Sequence, residues 1–236
     1  MISVCLATYN GEKYIKEQLD SILSQLGEKD ELILSDDGSS DRTIEIAESY
    51  NDSRIKIFRN SFKNLILNFE FALKQSKGSF IFLSDQDDVW LPNKVEVSLS
   101  YLIKSDVVVS NCLVVNQDLQ VINKSFFKLN NTKKGLFSNL LKNSYLGCCL
   151  AFRREILSKA LPFPKNIPMH DIWLGFISEL FYKVKFIEEP LMLYRRHGAN
   201  ESPTGEDSPY NLYRKFLFRY NIVKNIPKLY LKKVKE

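Results

Sequence analysis

The sequence has little of what defines several large protein classes. Nine glycines and eight prolines among 236 residues are too few for a collagen-like or linker-like chain. No stretch approaches the ~20 consecutive apolar residues of a membrane-spanning helix. The chain does not open on a basic segment followed by an apolar one, so we expect no secretory signal. These absences favour a globular domain.

Cysteine, histidine and the common nucleotide motifs are also scarce. The four cysteines form no CxxC pair and no disulfide framework, which favours a reduced, cytoplasmic setting. GxGxxG, GxxxxGK[ST] and GxSxG do not occur, which weighs against dinucleotide dehydrogenases, P-loop kinases and α/β-hydrolases. Only His170 and His197 are available for a Ser-His-Asp triad.

The chain has enough apolar residues for a sizeable core, and its charge is uneven. It is 44% hydrophobic and 26% charged, with a formal net charge of +5. From Ser208 onward, eight Lys and Arg face one Glu, and aromatic residues are interspersed among them. A basic patch confined to a tail does not indicate a nucleic-acid-binding domain, whereas basic residues mixed with aromatics suit a membrane interface. A solvated helix packed on the domain is the other interpretation.

Short apolar runs alternate with helical patterns in the first half of the chain. The runs, each of strand length, are 2–7, 31–35, 55–58, 79–83 and 107–109. Apolar residues recur at helical spacing between the first four of them. This alternation predicts an α/β fold with a parallel sheet and helices on both sides.

Acidic residues follow two of these predicted strands. Asp36 and Asp37 follow the second, and Asp85, Asp87 and Asp88 follow the fourth. Because ligands of open parallel sheets lie beyond the carboxyl ends of the strands, both groups are expected at one edge. Carboxylates there suit Mg²⁺ or Mn²⁺ bound to a diphosphate. A turn with helix capping is the other interpretation of Asp36 and Asp37.

Five segments carry a family resemblance. In chain order they are ISVCLATYNGEKYI, SDDGSSDRT, FLSDQDDVWLPNK, MHDIW and LYRRHGAN. Together they resemble the inverting family 2 glycosyltransferases, which have the GT-A fold, a Rossmann-like and mostly parallel sheet with flanking helices. Within that family the last segments most resemble bacterial rhamnosyltransferases of surface-polysaccharide assembly, such as O-antigen or capsule.

The resemblance implies a donor site in the first half of the chain. Thr8 and Tyr9 would line the nucleobase pocket, Asp36 would accept from the base N3–H, and Asp37 would lie beside the base and ribose. Asp85-Gln86-Asp87 would be the DXD motif. In that motif, Asp85 would face the ribose and Asp87 would bind Mg²⁺ or Mn²⁺.

The resemblance places the reacting groups later in the chain. Asp171 falls where the family has its catalytic base, although His170 precedes it where Glu is usual. Asp171 as a helix N-cap is the alternative. Arg195 and Arg196 would clamp the diphosphate, and His197 would be a metal ligand or a donor to phosphate.

Together, these implications predict the domain organisation and the reaction of the enzyme. We expect a GT-A domain over 1–205 and a basic, aromatic helical tail over 206–236. Its reaction would be inverting transfer of L-rhamnose from dTDP-L-rhamnose to a growing glycan. A UDP-hexose donor, a metal-dependent nucleotidyltransferase and a nucleotide-sugar hydrolase are alternatives. The acceptor would be lipid-linked, and the tail would hold the protein on the inner, anionic face of the cell membrane without spanning it.

Overall fold

The computed structural model describes residues 1–198 and 211–231. The predicted boundary at 205/206 lies outside these residues, and so does the end of the tail. The strands are β1 (Ile2–Thr8), β2 (Glu31–Asp36), β3 (Ile55–Arg59), β4 (Phe80–Asp85), β5 (Val89–Trp90), β6 (Val107–Val115), β7 (Val121–Asn123), β8 (Leu150–Arg153) and β9 (Val184–Arg195).

Helices connect these strands and form the C-terminal part of the described chain. They are α1 (Ile15–Leu23), α2 (Thr43–Ser49), α3 (Leu65–Gln75), α4 (Lys94–Leu102), α5 (Phe126–Leu129), α6 (Leu136–Leu141), α7 (Ile156–Ala160), α8 (His170–Phe181), α9 (Leu212–Val223) and α10 (Ile226–Leu231). A short 3₁₀ turn, Gly147–Cys149, precedes β8. The predicted helical tail is therefore present as α9 and α10.

One mixed sheet organises the chain. Its strand order is β3-β2-β1-β4-β8-β6-β9-β5, with β7 paired to β6. The strands β1 to β4 are parallel, as predicted, and β6 runs parallel to β9. The sheet is not wholly parallel, because β5, β7 and β8 pair antiparallel with their neighbours. β8 lies in the middle of the sheet, between β4 and β6.

The core follows from the apolar patterns. All seven residues of β1 and all six of β2 are buried, as expected for strands covered on both faces. Helix α1 buries Ile15, Leu19 and Ile22, which are spaced three or four residues apart and therefore share one face. No helix among the described residues combines the length and the apolar character needed to cross a bilayer.

The strand register brings the motifs together. Thr8 at the end of β1 pairs with Asp36 at the end of β2, and Ala7 pairs with Asp85 at the end of β4. The three carboxyl ends therefore meet at one edge of the sheet, as the sequence predicts.

Candidate active site

The loops after β1 and β2 are hydrogen-bonded into one unit. Thr8 Oγ1 donates to Asp36 Oδ1 at 3.0 Å, and the backbone N–H of Asp37 donates to the Thr8 carbonyl at 2.9 Å. Asn10, in the left-handed region at φ 48°, accepts from the Ser40 N–H at 2.9 Å through its side chain. The first two motifs of the sequence therefore form a single rigid wall of the site.

Hydrogen bonds within these two loops occupy both carboxylate oxygens of Asp36. Its Oδ1 accepts from Thr8 and from the Ser39 hydroxyl, and its Oδ2 accepts from the backbone N–H groups of Gly38 and Ser39. A carboxylate offers about four acceptor positions, and four donors occupy them here. Asp36 thus forms a turn without capping a helix, and has little capacity left for the base N3–H that the resemblance assigns to it.

Asp37 is buried beside it and retains acceptor capacity. Its Oδ1 accepts from the Lys63 N–H at 2.9 Å, and its Oδ2 accepts from the Asn64 N–H at 2.7 Å. Each oxygen therefore has one donor among the described residues and can accept a second. The geometry favours Asp37 over Asp36 as the acceptor for a donor group of a ligand.

Gln86 joins the first loop to the acidic loop. Tyr9 N–H donates to Gln86 Oε1 at 2.8 Å, and Gln86 Nε2 donates back to the Tyr9 carbonyl at 3.0 Å. A Cβ on Gly11 would lie 2.5 Å from Gln86 Oε1, so this contact requires glycine. The pair fixes the backbone of Tyr9 while its side chain stays 57% exposed. The sequence prediction treated Gln86 only as the middle of the DXD motif and missed this role.

Carboxylates crowd the end of β4. Burial raises the pKa of Asp85 to about 7, and the Asp87 and Asp171 carboxylates add to the rise. Burial and the Asp87 and Asp85 carboxylates raise the pKa of Asp88 well above its usual range. The Asp88 Oδ2 is buried with no hydrogen-bond partner among the described residues. Buried carboxylates this close together repel one another, and a bound cation would offset that repulsion.

This acidic group fits a divalent metal. One carboxylate oxygen each from Asp85 and Asp88, together with Cys148 Sγ, lie within 4.8 Å of one another. Carboxylate oxygens suit Mg²⁺ and Mn²⁺. Burial raises the pKa of the Cys148 thiol well above its usual range, so that sulfur is protonated and a poor ligand. Asp88, to which the family resemblance assigns no role, thus joins Asp85 as a residue able to hold the metal.

The two predicted metal ligands contact each other. His197 Nε2 lies 2.8 Å from Asp87 Oδ2, although 110 residues separate them in sequence. The imidazole stacks on Tyr14 with ring centroids 4.9 Å apart. This arrangement brings the late motif onto the DXD loop. The role of His197, as a metal ligand or as a donor to phosphate, stays a prediction.

Arg195 supports the site from within. Its guanidinium donates to the carbonyls of Asp87 at 2.8 Å and Gln117 at 2.7 Å, pairs with Glu17, and lies over the Tyr14 ring. The residue is only 3% exposed. Arg195 therefore holds the acidic loop in place, which favours a positioning role. Its predicted contact with the diphosphate stays a prediction.

Arg196 follows at the end of the same strand. Its backbone N–H donates to the Val115 carbonyl at 2.8 Å, which extends the pairing of β6 with β9 by one residue. Its side chain is half-buried. The predicted contact of Arg196 with the diphosphate also stays a prediction.

Asp171 lies in the first turn of α8 and faces the same cluster. The helix begins at His170 and its N-cap is Met169, so Asp171 is not the cap. Its Oδ1 accepts from the Ile172 N–H at 2.7 Å, and Gly147 N–H and the Asn143 side chain also bond to its carboxyl. Burial outweighs these bonds and raises the pKa of Asp171 to about 7. A carboxyl with that pKa is suited to general base catalysis near neutral pH.

His170 is buried beside Asp171. Its ring stacks on Phe69 with centroids 3.9 Å apart, and neither nitrogen has a hydrogen-bond partner among the described residues. Burial lowers its pKa to about 3, so the imidazole is neutral. His170 packs the start of α8 and carries no charge toward Asp171.

A buried lysine behind the site gave no signal in the sequence. Lys94 Nζ donates to the Cys148 carbonyl at 2.6 Å and lies 4.8 Å from the centroid of the Trp90 ring. It is 1% exposed. Lys94 therefore fixes the turn that carries Gly147 and Cys148.

Comparisons with known proteins identify the family of the chain. The family model described as "Glycosyl transferase family 2" matches residues 3–161. The chain is 29% identical over 187 residues to UDP-Glc:alpha-D-GlcNAc-diphosphoundecaprenol beta-1,3-glucosyltransferase WfgD of Escherichia coli, covering 76% of this chain and 70% of that protein. It is 27% identical over 241 residues to dTDP-rhamnosyl transferase RfbG of Shigella flexneri, covering 93% and 82%.

A solved structure supports the fold. Residues 1–349 of S. aureus TarS in complex with UDP-GlcNAc superpose with a TM-score of 0.71, at 22% identity, covering all of this chain and 68% of that one. This likeness confirms the GT-A fold. Because the family model spans more than half of the chain, the chain belongs to glycosyl transferase family 2.

Proposed function

We propose that this glycosyltransferase moves a sugar, with inversion, from a nucleoside-diphosphate donor to a growing polysaccharide. The observation that carries the proposal is Asp171. It is a buried carboxyl with a pKa of about 7, close enough to Asp85 to raise the pKa of that residue as well. A single base beside a diphosphate-binding cluster is what a one-step inverting transfer requires.

The donor base would bind at the wall formed by the first two loops. Asp37 would accept from the ring N3–H, a group that uracil and thymine both carry. The exposed Tyr9 ring and the Thr8 side chain would line the same pocket. This pocket fits a uridine or thymidine diphosphate sugar.

The metal would be held by carboxylates at the end of β4. Asp85 and Asp88 fit it by their spacing, and Asp87 with His197 lies beside them. A divalent cation there would neutralise the leaving diphosphate. Arg195 would keep the Asp87 backbone in place while Arg196 approaches the phosphates.

Asp171 would act on the acceptor. It removes the proton of the acceptor hydroxyl as the oxygen attacks the anomeric carbon from the side opposite the diphosphate. The bond between that carbon and the diphosphate oxygen breaks, and the diphosphate leaves with the bonding pair. The proton stays on Asp171 and passes to water afterwards, so one carboxylate is enough.

The donor sugar we favour is L-rhamnose from dTDP-L-rhamnose, because a dTDP-rhamnosyl transferase aligns over 93% of the chain. A UDP-hexose is the alternative, since a UDP-glucose-dependent relative also aligns. That relative is named for a diphosphoundecaprenol acceptor, which supports a lipid-linked acceptor here. The setting we favour is polysaccharide assembly of the O-antigen type, because a relative from Escherichia coli that is 27% identical over 244 residues is named an O-antigen biosynthesis glycosyltransferase.

The test is acceptor-dependent release of nucleoside diphosphate from a panel of dTDP- and UDP-sugars with Mn²⁺. We expect release only when a glycan acceptor is present, with dTDP-rhamnose as the best donor. Release without acceptor would instead show a hydrolase.

EDTA should abolish transfer, and Asp87→Ala should weaken binding of the diphosphate but not of the nucleoside. Full activity in EDTA would remove the metal from the proposal.

A further inference from the structure

Two segments of the chain contain basic residues and no acidic ones. Residues 124–145 have five lysines, and residues 211–231 have five Lys or Arg. Together they hold ten of the 33 basic side chains and none of the 28 acidic ones, so the rest of the chain is net negative. Segregation of this degree points to a polyanionic partner at one region of the surface.

Helix α9 in the second segment directs large apolar side chains outward. Tyr213 is 73% exposed, Phe216 66% and Tyr220 55%, and Leu217 and Val223 are also exposed. Ile222 on another face of the helix is buried in the core. These apolar side chains of α9 therefore face solvent and do not form core packing.

Helix α6 in the first segment does the same. Phe137 is 81% exposed and Leu141 is 71% exposed, and their spacing of four residues places them on one face. Arg219 of α9 donates to the carbonyls of Leu140 and Leu141 at the end of α6. The two exposed apolar sets therefore adjoin at this arginine. We call them the α6–α9 face, made of Phe137, Leu141, Tyr213, Phe216, Leu217, Tyr220 and Val223.

The cations of the two segments border this face. Lys133, Lys134 and Lys142 flank α6, and Arg214 and Lys224 lie on α9, all of them exposed. Aromatic and aliphatic side chains bordered by Lys and Arg match the boundary between lipid headgroups and acyl chains. Each cation near an anionic bilayer strengthens binding by about fivefold.

The face also adjoins the acceptor side of the site. The chain leaves α6 at Leu141 and within six residues reaches Asn143 and Gly147, which both bond to the Asp171 carboxyl. Binding at the α6–α9 face would therefore bring the proposed base close to the same surface.

We infer that the α6–α9 face docks the protein on an anionic lipid bilayer, with α6 contributing as well as the C-terminal helix. The inference rests on the proposed function only for its purpose, which is access to a lipid-linked acceptor. The exposed apolar side chains enter the interface, and the surrounding cations contact the anionic headgroups.

Vesicle co-sedimentation tests this without donor or acceptor. The full chain should bind phosphatidylcholine vesicles containing phosphatidylglycerol and lose most of that binding without phosphatidylglycerol or at ~0.5 M salt. Leu141→Ser with Phe216→Ser should lower the partition coefficient by at least about tenfold. Lys142→Glu should lower it about fivefold or more.

Matched controls lie at the end of α4. Ile103 is 74% exposed, as Leu141 is, and the exposed Lys104 follows it. Ile103→Ser and Lys104→Glu should leave vesicle binding unchanged, and no variant should alter the thermal shift caused by nucleoside diphosphate. Absence of binding to anionic vesicles would overturn the inference. A dimer in light scattering that Leu141→Ser dissociates would overturn it too, because a second copy would then cover the face. Failure of sugar transfer with intact vesicle binding would count against the proposed function alone.

Discussion

Asp171 is the residue whose environment is most informative about chemistry. If it is the general base, Asp171→Asn should lower the transfer rate by roughly 10²–10⁴-fold, because the amide cannot take the acceptor proton. Donor affinity should change little, since the Asp171 carboxyl is hydrogen-bonded to protein groups and its role begins with the acceptor. Single-turnover rates and nucleotide binding by calorimetry measure the two effects. A variant with near-normal turnover would exclude Asp171 as the base.

The raised pKa of Asp171 predicts a pH profile. Only the ionised carboxylate accepts a proton, so at saturating metal the rate should rise about tenfold per pH unit below about 7 and level off above it. The free energy of unfolding should instead fall as pH rises through this range. The folded pKa lies above the ordinary value of 3.8, so the native state holds a proton that the unfolded state has lost. The destabilising contribution of Asp171 therefore grows as pH rises from about 4 to about 7, and is constant above. A rate that falls with pH across this range would contradict the assignment.

At the scale of loops and elements, the Gly11–Gln86 contact joins two motifs. Gly11→Ala would place a methyl 2.5 Å from Gln86 Oε1 and displace the amide that holds Tyr9. Gln86→Ala removes the same two hydrogen bonds directly. Each single variant should raise the donor KM about fivefold, equivalent to about one hydrogen bond of ~1 kcal/mol.

The double variant decides whether the two residues act together. Gly11→Ala in a Gln86→Ala background should add little, because the displaced group is already absent. Gly27→Ala is the matched control, since its Cβ would meet only Asp30 at an ordinary 3.5 Å. Additive increases in KM would mean that Gly11 affects the donor by another route.

The elements that the sequence predicts well are those whose signal is local. The strands β1 to β4 are short apolar runs, and the predicted spans agree with the structure to within two residues at each end. The sequence predicts β6 only over 107–109, whereas it extends to Val115. Ser110 and Asn111 interrupt the apolar run, yet Asn111 is buried because its Nδ2 donates to Ser125 Oγ and to the Glu188 carbonyl. These partners are distant in sequence, so the pattern alone cannot reveal them.

The length of β9 and the geometry of the acidic site also depend on contacts that the sequence pattern does not reveal. β9 contains Pro190, a residue that usually ends a strand, and the strand passes this proline at a register shift opposite Asn111. The motifs identify Asp36, Asp37, Asp85, Asp87 and Asp171 as candidates. They cannot show that Asp36 is saturated with donors while Asp37 is not, because those donors come from the geometry of two loops.

At the scale of the whole molecule, the C-terminal helices have two different faces. Ile222 and Leu229 belong to the core, and Lys159 Nζ donates to the Leu229 carbonyl at 3.1 Å. Truncation after Asp207 should therefore lower the free energy of unfolding by about 3–6 kcal/mol, from two buried side chains at ~1.5–3 kcal/mol each. Denaturant unfolding measures this loss.

Point variants on the outer face provide the contrast. Leu141→Ser with Phe216→Ser should leave the free energy of unfolding within ~1 kcal/mol, because both side chains are exposed. A truncated chain as stable as the full one would show that α9 and α10 contribute nothing to the core. Because truncation perturbs folding, it is a poor probe of membrane binding, and the surface variants are the better one.

The reversed direction of β8 determines where residues 116–149 leave and rejoin the sheet. β6 leaves the sheet at the edge where the carboxylates gather, and β8 re-enters at that same edge because it runs antiparallel to β4 and β6. Apart from β7, which pairs with β6, residues 116–149 thus form an excursion from the sheet that ends beside Asp85 at Cys148, and they carry Asn143 and Gly147 to Asp171. Exchanging this excursion between relatives would leave the register of β1 to β4 untouched. Under the proposed function, acceptor choice would therefore diverge between family members more readily than the nucleotide pocket.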